Sequence, residues 1–199
     1  MSGDWLAARR TEVAADRILD AAAELFAQRD VAGVGMHEIA RAAGCSRATL
    51  YRYFENRDAL HTAFMHRETY RLHYTIIDQI TGIRDPGDRL VEGVIAALGL
   101  VRNSPALASW FSTSRPPLGA VIADQDDVVK ALTAAFLTSL APDEPAVVER
   151  RARWLVRVMT SLLVFPGEDE NDERAMVREF VVPMVVAGGL SAEFARGAD

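Results

Sequence analysis

The chain contains a single cysteine, Cys45, among its 199 residues, so no intrachain disulfide forms and a reducing compartment is expected. Long apolar runs are missing too. None approaches the roughly 20 residues of a membrane helix. The first residues lack the basic and apolar regions of a signal peptide. These absences lead to the expectation of a soluble, cytoplasmic protein. Strand-like alternation of useful length is absent, as are internal repeats. Histidine is scarce, with His37, His61, His66 and His73 the full set, and none has the H-E-x-x-H or Cys/His spacing of a metal site. There is no glycine-rich phosphate loop and no nucleophile triad. No catalytic residue, no metal and no cofactor is therefore expected, and the chain does not read as an enzyme. Excess positive charge is also lacking: the net charge is −6 and the pI about 5.3. That balance argues against a uniformly basic nucleic-acid binder. The charge is uneven, however. Arg41, Arg47, Arg52 and Arg57 recur in one stretch, whereas acid gathers at Glu168-Asp169-Glu170-Asn171-Asp172-Glu173. Screening limits distant charge to a reach of roughly 10 Å, so a local basic surface on an acidic protein still binds phosphate.

What is present is helical periodicity. Half of the residues are hydrophobic, enough for one or two domains with a core. Residues 1–10 read as a polar arm ending in Arg9-Arg10. From Thr11 to about Arg29, Ile18, Ala22, Leu25 and Phe26 recur at helical spacing. A second helix is expected from Met36 to Ala43, with Gly35 at its N-cap and Glu38 in its first turn. Gly44 suits the left-handed backbone of a helix end. Ser46 is placed to cap a third helix of barely two turns, of which Leu50 and Phe54 form the apolar edge. Two short helices joined by a tight glycine turn make a helix-turn-helix. The outer face of the third helix carries Arg47, Thr49, Tyr51, Arg52 and Tyr53. Guanidinium groups, hydroxyls and planar rings suit base edges and phosphates in a major groove. A small side chain packing under the turn is expected of Cys45.

Asn56 caps a long helix running to about Ile80, and Asp85-Pro86 and Ser104-Pro105 open two more. A loop at residues 112–117 precedes a helix that starts at about Leu118 or Asp126 and ends at Leu140. The helix from Val147 to Leu163 has two apolar stripes and should be covered on two sides. A last helix is expected from Arg174 to about Ala187, with Pro183 kinking it or limiting its last turn.

Residues 11 to about 64 resemble the DNA-binding domain of the tetracycline-repressor (TetR) family of bacterial regulators. The resemblance rests on Arg17-Ile18-Leu19-Asp20-Ala21-Ala22, Leu25-Phe26, Met36-His37-Glu38-Ile39-Ala40, Ala43-Gly44-Cys45-Ser46, Thr49-Leu50-Tyr51-Arg52-Tyr53-Phe54 and Arg57-Asp58-Ala59-Leu60. It implies an all-α fold. An N-terminal three-helix helix-turn-helix DNA-binding domain (residues 11–56) follows the arm and precedes a helical ligand-binding and dimerisation domain (residues 57–199). It implies a homodimer on a palindromic operator in double-stranded DNA, most simply a repressor released by a small effector.

Carried over by position, Arg47, Ala48 and Tyr51 match base-reading positions, and His37 and Arg52 match positions that reach DNA. Thr49, Tyr53 and Arg57 match phosphate-contacting positions, beside the capping Ser46. An effector pocket is expected from Phe64, Tyr70, Tyr74, Trp110, Phe111, Phe136, Trp154 and Met159. Arg115 is expected to anchor a weakly acidic group on a mainly apolar ligand, with Ser112 and Thr113 nearby. The dimer interface is expected at Val148, Leu155, Met159, Leu162, Val177, Val181 and Met184.

Overall fold

The computed structural model describes residues 4–112 and 118–186, with side chains described from Glu12 to Phe111 and from Leu118 to Val186. The elements described are helical throughout. Helix α1 spans Asp4–Gln28, a 3₁₀ turn Val31–Gly33, α2 Met36–Ala42, α3 Arg47–Tyr53 and α4 Arg57–Ile80. Beyond them lie α5 (Pro86–Asn103), α6 (Pro105–Ser112), α7 (Leu118–Gln125), α8 (Asp127–Leu140) and α9 (Pro145–Val164). Helix α10 (Glu170–Met176) runs through a π-helical stretch, Val177–Val181, into α11 (Val182–Val185).

Several boundaries differ from expectation. The first helix begins at Asp4 and so takes in most of the stretch expected as an arm. Of the two starts expected for the helix ending at Leu140, Asp126 is the observed one, and a separate helix, α7, occupies Leu118–Gln125. Asp126 separates the two, because its carboxylate accepts from the Val128 and Val129 N–H groups and opens α8 as its N-cap. The acidic run 168–173 supplies the first turn of α10, where Glu170, Asp172 and Glu173 favour the positive helix end. Pro183, expected to kink the last helix or limit its last turn, lies at the start of the one short turn Val182–Val185 that closes the described helix. It has no N–H to offer the preceding turn, and the π-helical residues just before it widen that turn.

Two apolar cores form. The first gathers Ile18, Phe26, Val34, Ile39, Leu50, Leu60, Phe64 and Trp110. It extends past residue 56 into α4 and α6, with α6 packed along α1. The second gathers Leu90, Leu98, Leu137, Leu155, Val177 and Val181 around α5, α8 and α9. Trp110 anchors the junction of the first core. Its ring stacks on Phe64 at 5.5 Å and meets Phe26 and His61 edge-on at 5.4 and 4.9 Å. Ion pairs add to the α1–α4 contact: Arg67 donates to the Asp16 carbonyl and the Asp20 carboxylate. Glu173, 2% exposed, takes two hydrogen bonds from Arg102 and one from the Gly167 N–H, tying α10 to α5. Arg102 in turn holds its carboxyl below the usual range. No single described helix is long and apolar enough to cross a membrane, and the apolar pair α5 and α6 is bent by 99°.

Candidate nucleic-acid interface and effector cavity

The turn between α2 and α3 is built from local chemistry. Gly44 takes φ +66°, and the next N–H, of Cys45, reaches back to the Ala40 carbonyl at 2.9 Å. Ser46 then caps α3, its hydroxyl accepting from the Thr49 N–H at 3.0 Å and lying 2.9 Å from the Thr49 hydroxyl. Glu38 accepts from the Gly35 N–H at 3.0 Å and from Arg29 at 2.9 Å, fixing the start of α2. The Gly35 bond and Arg29 together lower the Glu38 pKa. Leu50 and Phe54 are buried, so the opposite face of α3 is held outward. Arg47, Ala48, Tyr51 and Arg52 are exposed there, as are Ser46 and His37 close by, while Thr49 and Tyr53 are half-buried. The Arg52 guanidinium lies over the Tyr53 ring at 5.3 Å. Cys45 is half-buried against the first core.

Arg57 is placed differently from its expected phosphate contact. Its Nη2 donates to the Val31 and Ala32 carbonyls at 2.7 and 2.6 Å, and its Nε is buried. The guanidinium closes the open end of the 3₁₀ turn, a tertiary role invisible to motif matching.

A cavity of about 180 Å³ lies between α4, α5, α6, α7, α8 and α9. Phe111, Phe136 and Met159 line it, as does Leu155, which had been expected at a dimer surface. The other expected pocket residues lie elsewhere. Phe64 and Trp110 are buried in the aromatic cluster of the first core. Tyr70 and Tyr74 face outward at 45% and 71% exposure. Trp154 is half-buried against the second core and does not line the cavity. Arg115, Thr113 and the Ser112 side chain lie outside the described residues. Sequence reasoning missed Thr69, His73, Thr133 and Thr160, the polar groups of an otherwise apolar lining. The spacing of Thr69 and His73, four apart beside Leu72 and Ile76, was the available signal.

The expected dimer residues also divide. Val148, Leu162, Val177 and Val181 are buried within this chain's own second core and are not free to meet a partner. Met184 is exposed, as are Phe180 and Phe165.

A helix-turn-helix with an outward-facing third helix, joined to a helical body around an apolar cavity, defines a DNA-binding regulator. The family model for bacterial regulatory proteins of the tetR family matches residues 18–64. The uncharacterised HTH-type transcriptional regulator Rv1255c of Mycobacterium tuberculosis is 60% identical over 189 residues, spanning 95% of this chain and 94% of that protein. Among solved structures, the TetR-family repressor AlkX of Dietzia sp., implicated in n-alkane biodegradation, superposes with a TM-score of 0.65. It shares 24% identity over 85% of this chain and 93% of that one. RolR in complex with resorcinol gives a TM-score of 0.68 at 16% identity over 96% and 97% of the two chains. The chain belongs to the TetR family of DNA-binding transcriptional regulators, which are not enzymes.

Proposed function

We propose that this protein is a repressor that binds a palindromic operator as a homodimer and leaves it when a small, mainly apolar effector enters the cavity. The observation that carries the reading is the position of α6. Phe111 and Leu107 of this helix line the cavity, while Trp110, next to Phe111, sits in the aromatic cluster with Phe26 of α1 and Phe64 of α4. A ligand that displaces Phe111 acts on the support of the DNA-binding helices. Helix α4 offers a second route. It starts beside the helix-turn-helix, and His73 at the cavity lies about 24 Å along its axis from Arg57 at ~1.5 Å per residue. Half-sites lie roughly 34–36 Å apart, so a small tilt of α4 in each subunit mismatches the pair. The effector shifts the equilibrium only by its differential affinity for the two spacings.

In the bound state Arg47, Ala48 and Tyr51 read bases, with His37 and Arg52 at the groove edge and Ser46, Thr49 and Tyr53 toward phosphate. The second copy covers the face bearing Phe165, Phe180 and Met184, side chains that this chain leaves 75%, 60% and 53% exposed. The cavity lining favours an apolar effector. An apolar cavity of ~150 Å³ is known to take up benzene, which is the scale available here. The test is a gel shift on the DNA upstream of the protein's own gene. Arg47→Ala should weaken the specific complex by about 1–3 kcal/mol and relax one operator position. Unchanged sequence preference in this variant would refute base reading by Arg47.

A further inference from the structure

The polar groups in the described cavity lining are few, and three of them have no hydrogen bond among the described residues. Of the 22 described lining residues, only Thr69, His73, Thr133 and Thr160 carry polar side chains, and none of the 22 is Lys, Arg, Asp or Glu. Helical threonines usually spend their hydroxyl on the carbonyl four residues back. Thr75, Thr81, Thr133 and Thr138 do so here, at 2.6–3.0 Å. Thr69 and Thr160, both well inside long helices, do not, and the described residues offer their hydroxyls no hydrogen bond. The His73 ring likewise has no hydrogen bond among the described residues and meets the Tyr74 ring edge-on, at 5.9 Å. Thr69 and His73 are one turn apart on α4 and so project as neighbours.

Resting on the reading of the cavity as the effector site, we propose that it selects a small apolar molecule carrying a neutral hydroxyl, an alcohol or a phenol. The hydroxyl sits between Thr69 and His73, and the hydrocarbon part fills the space toward Leu132, Phe136 and Met159. The pairing follows from hydrogen-bond inventory. A neutral imidazole has one donor and one acceptor nitrogen, and a threonine hydroxyl has both functions. A ligand hydroxyl gives its proton to one and accepts from the other. A carboxylate finds no lysine or arginine among the described lining side chains, and burying it unpaired is unfavourable. A plain hydrocarbon fits the walls but takes Thr69 and His73 from water without replacing their hydrogen bonds.

The test uses matched pairs on the full-length protein by isothermal titration calorimetry: phenol against toluene, and 1-hexanol against n-heptane, with hexanoate as the ionised control. The hydroxylated member should bind about tenfold tighter or better, and hexanoate should bind more weakly than 1-hexanol. Thr69→Val and His73→Leu should each remove most of that preference while leaving toluene affinity within about twofold, and His73→Gln should keep it. Equal affinity for phenol and toluene in the wild type overturns the hydroxyl assignment but leaves the cavity as an apolar site. A preference that survives both Thr69→Val and His73→Leu assigns the hydroxyl elsewhere and overturns it equally. No measurable binding of any probe overturns both the assignment and the effector role of the cavity.

Discussion

His61 should make the protein weaken on mild acidification. Its ring is 3% exposed, among Phe26, Phe64 and Trp110, and its Nε2 is buried without a partner among the described residues. Burial lowers its pKa from 6.5 to about 4, with a further push from Arg57 and a small opposing pull from Asp58. The unfolded chain takes up the proton near pH 6.5, and the folded chain refuses it until about pH 4. Between those values the unfolded state binds more protons, so folding stability rises with pH and is lost as the pH falls. The difference of about 2.5 in pKa, at ~1.36 kcal/mol for each unit, amounts to about 3 kcal/mol in total and about 2 kcal/mol by pH 5.

His61→Phe removes the titrating nitrogen and keeps a flat ring in the cluster. Urea unfolding of both proteins, followed by circular dichroism at one protein concentration, isolates the effect, because every other titrating group is common to the pair. At pH 7.5 the two should agree within about 1.5 kcal/mol, the ordinary range for a near-isosteric change. At pH 5 the phenylalanine protein should have gained about 2 kcal/mol on the wild type. Stability curves that run parallel from pH 7.5 to pH 4.5 would show that the His61 ring is charged inside the fold, or that the cluster is open to water. Since the cluster joins α1, α4 and α6, the proposed route from the cavity to the DNA-binding helices would lose its support.

Arg57→Ala should destabilise the fold by about 2–3 kcal/mol, because two charged hydrogen bonds to the Val31 and Ala32 carbonyls disappear. An unchanged urea midpoint with uniformly weaker DNA binding would restore the phosphate role. Arg102→Ala leaves the Glu173 carboxylate buried without its partner and should cost about 3 kcal/mol by the same assay. The lowered Glu173 pKa makes that contribution present above its unfolded value and lost as the pH falls through the folded one, so the gap between variant and wild type should narrow as the pH falls below the ordinary glutamate value. Phe180→Glu should give folded monomers in sedimentation, whereas Leu155→Glu, at a position 1% exposed, should fail to fold. A folded monomeric Leu155→Glu protein would return that residue to the interface.

The DNA-reading end was legible because its geometry is local. A glycine with positive φ, a serine cap and an apolar pair four apart are decided within eleven residues, and Gly44, Ser46, Leu50 and Phe54 act as their chemistry requires. Arg57 shows where local reading stops. Its sequence position fits a phosphate contact, but its guanidinium is taken by carbonyls 25 and 26 residues earlier in the chain. Phe64 and Trp110 show the same limit. A large aromatic ring signals burial, and nothing in its spacing separates a ring in a core from a ring in a cavity wall.

The body of the protein was harder to read because several of its helices are apolar on more than one side. On α4, Thr69 and His73 line the cavity while Tyr70 and Tyr74 face solvent. The two pairs differ by one position, a rotation of about 100°. With Tyr70, Tyr74 and Ile77 forming one stripe and Leu72, Ile76 and Ile80 another, periodicity supports either rotation. Helix α9 poses the same problem between chains. Val148, Ala152, Leu155 and Leu162 are buried by this chain alone, so the stripe first expected at the interface is core. Trp154 and Val158 are only half-covered, and Phe165 at the helix end is left 75% exposed. A two-sided apolar pattern states that both sides are to be covered, without stating by what. The chain's own packing uses one side, and removal of the remaining apolar surface from water is the driving force available to the proposed dimer on the other.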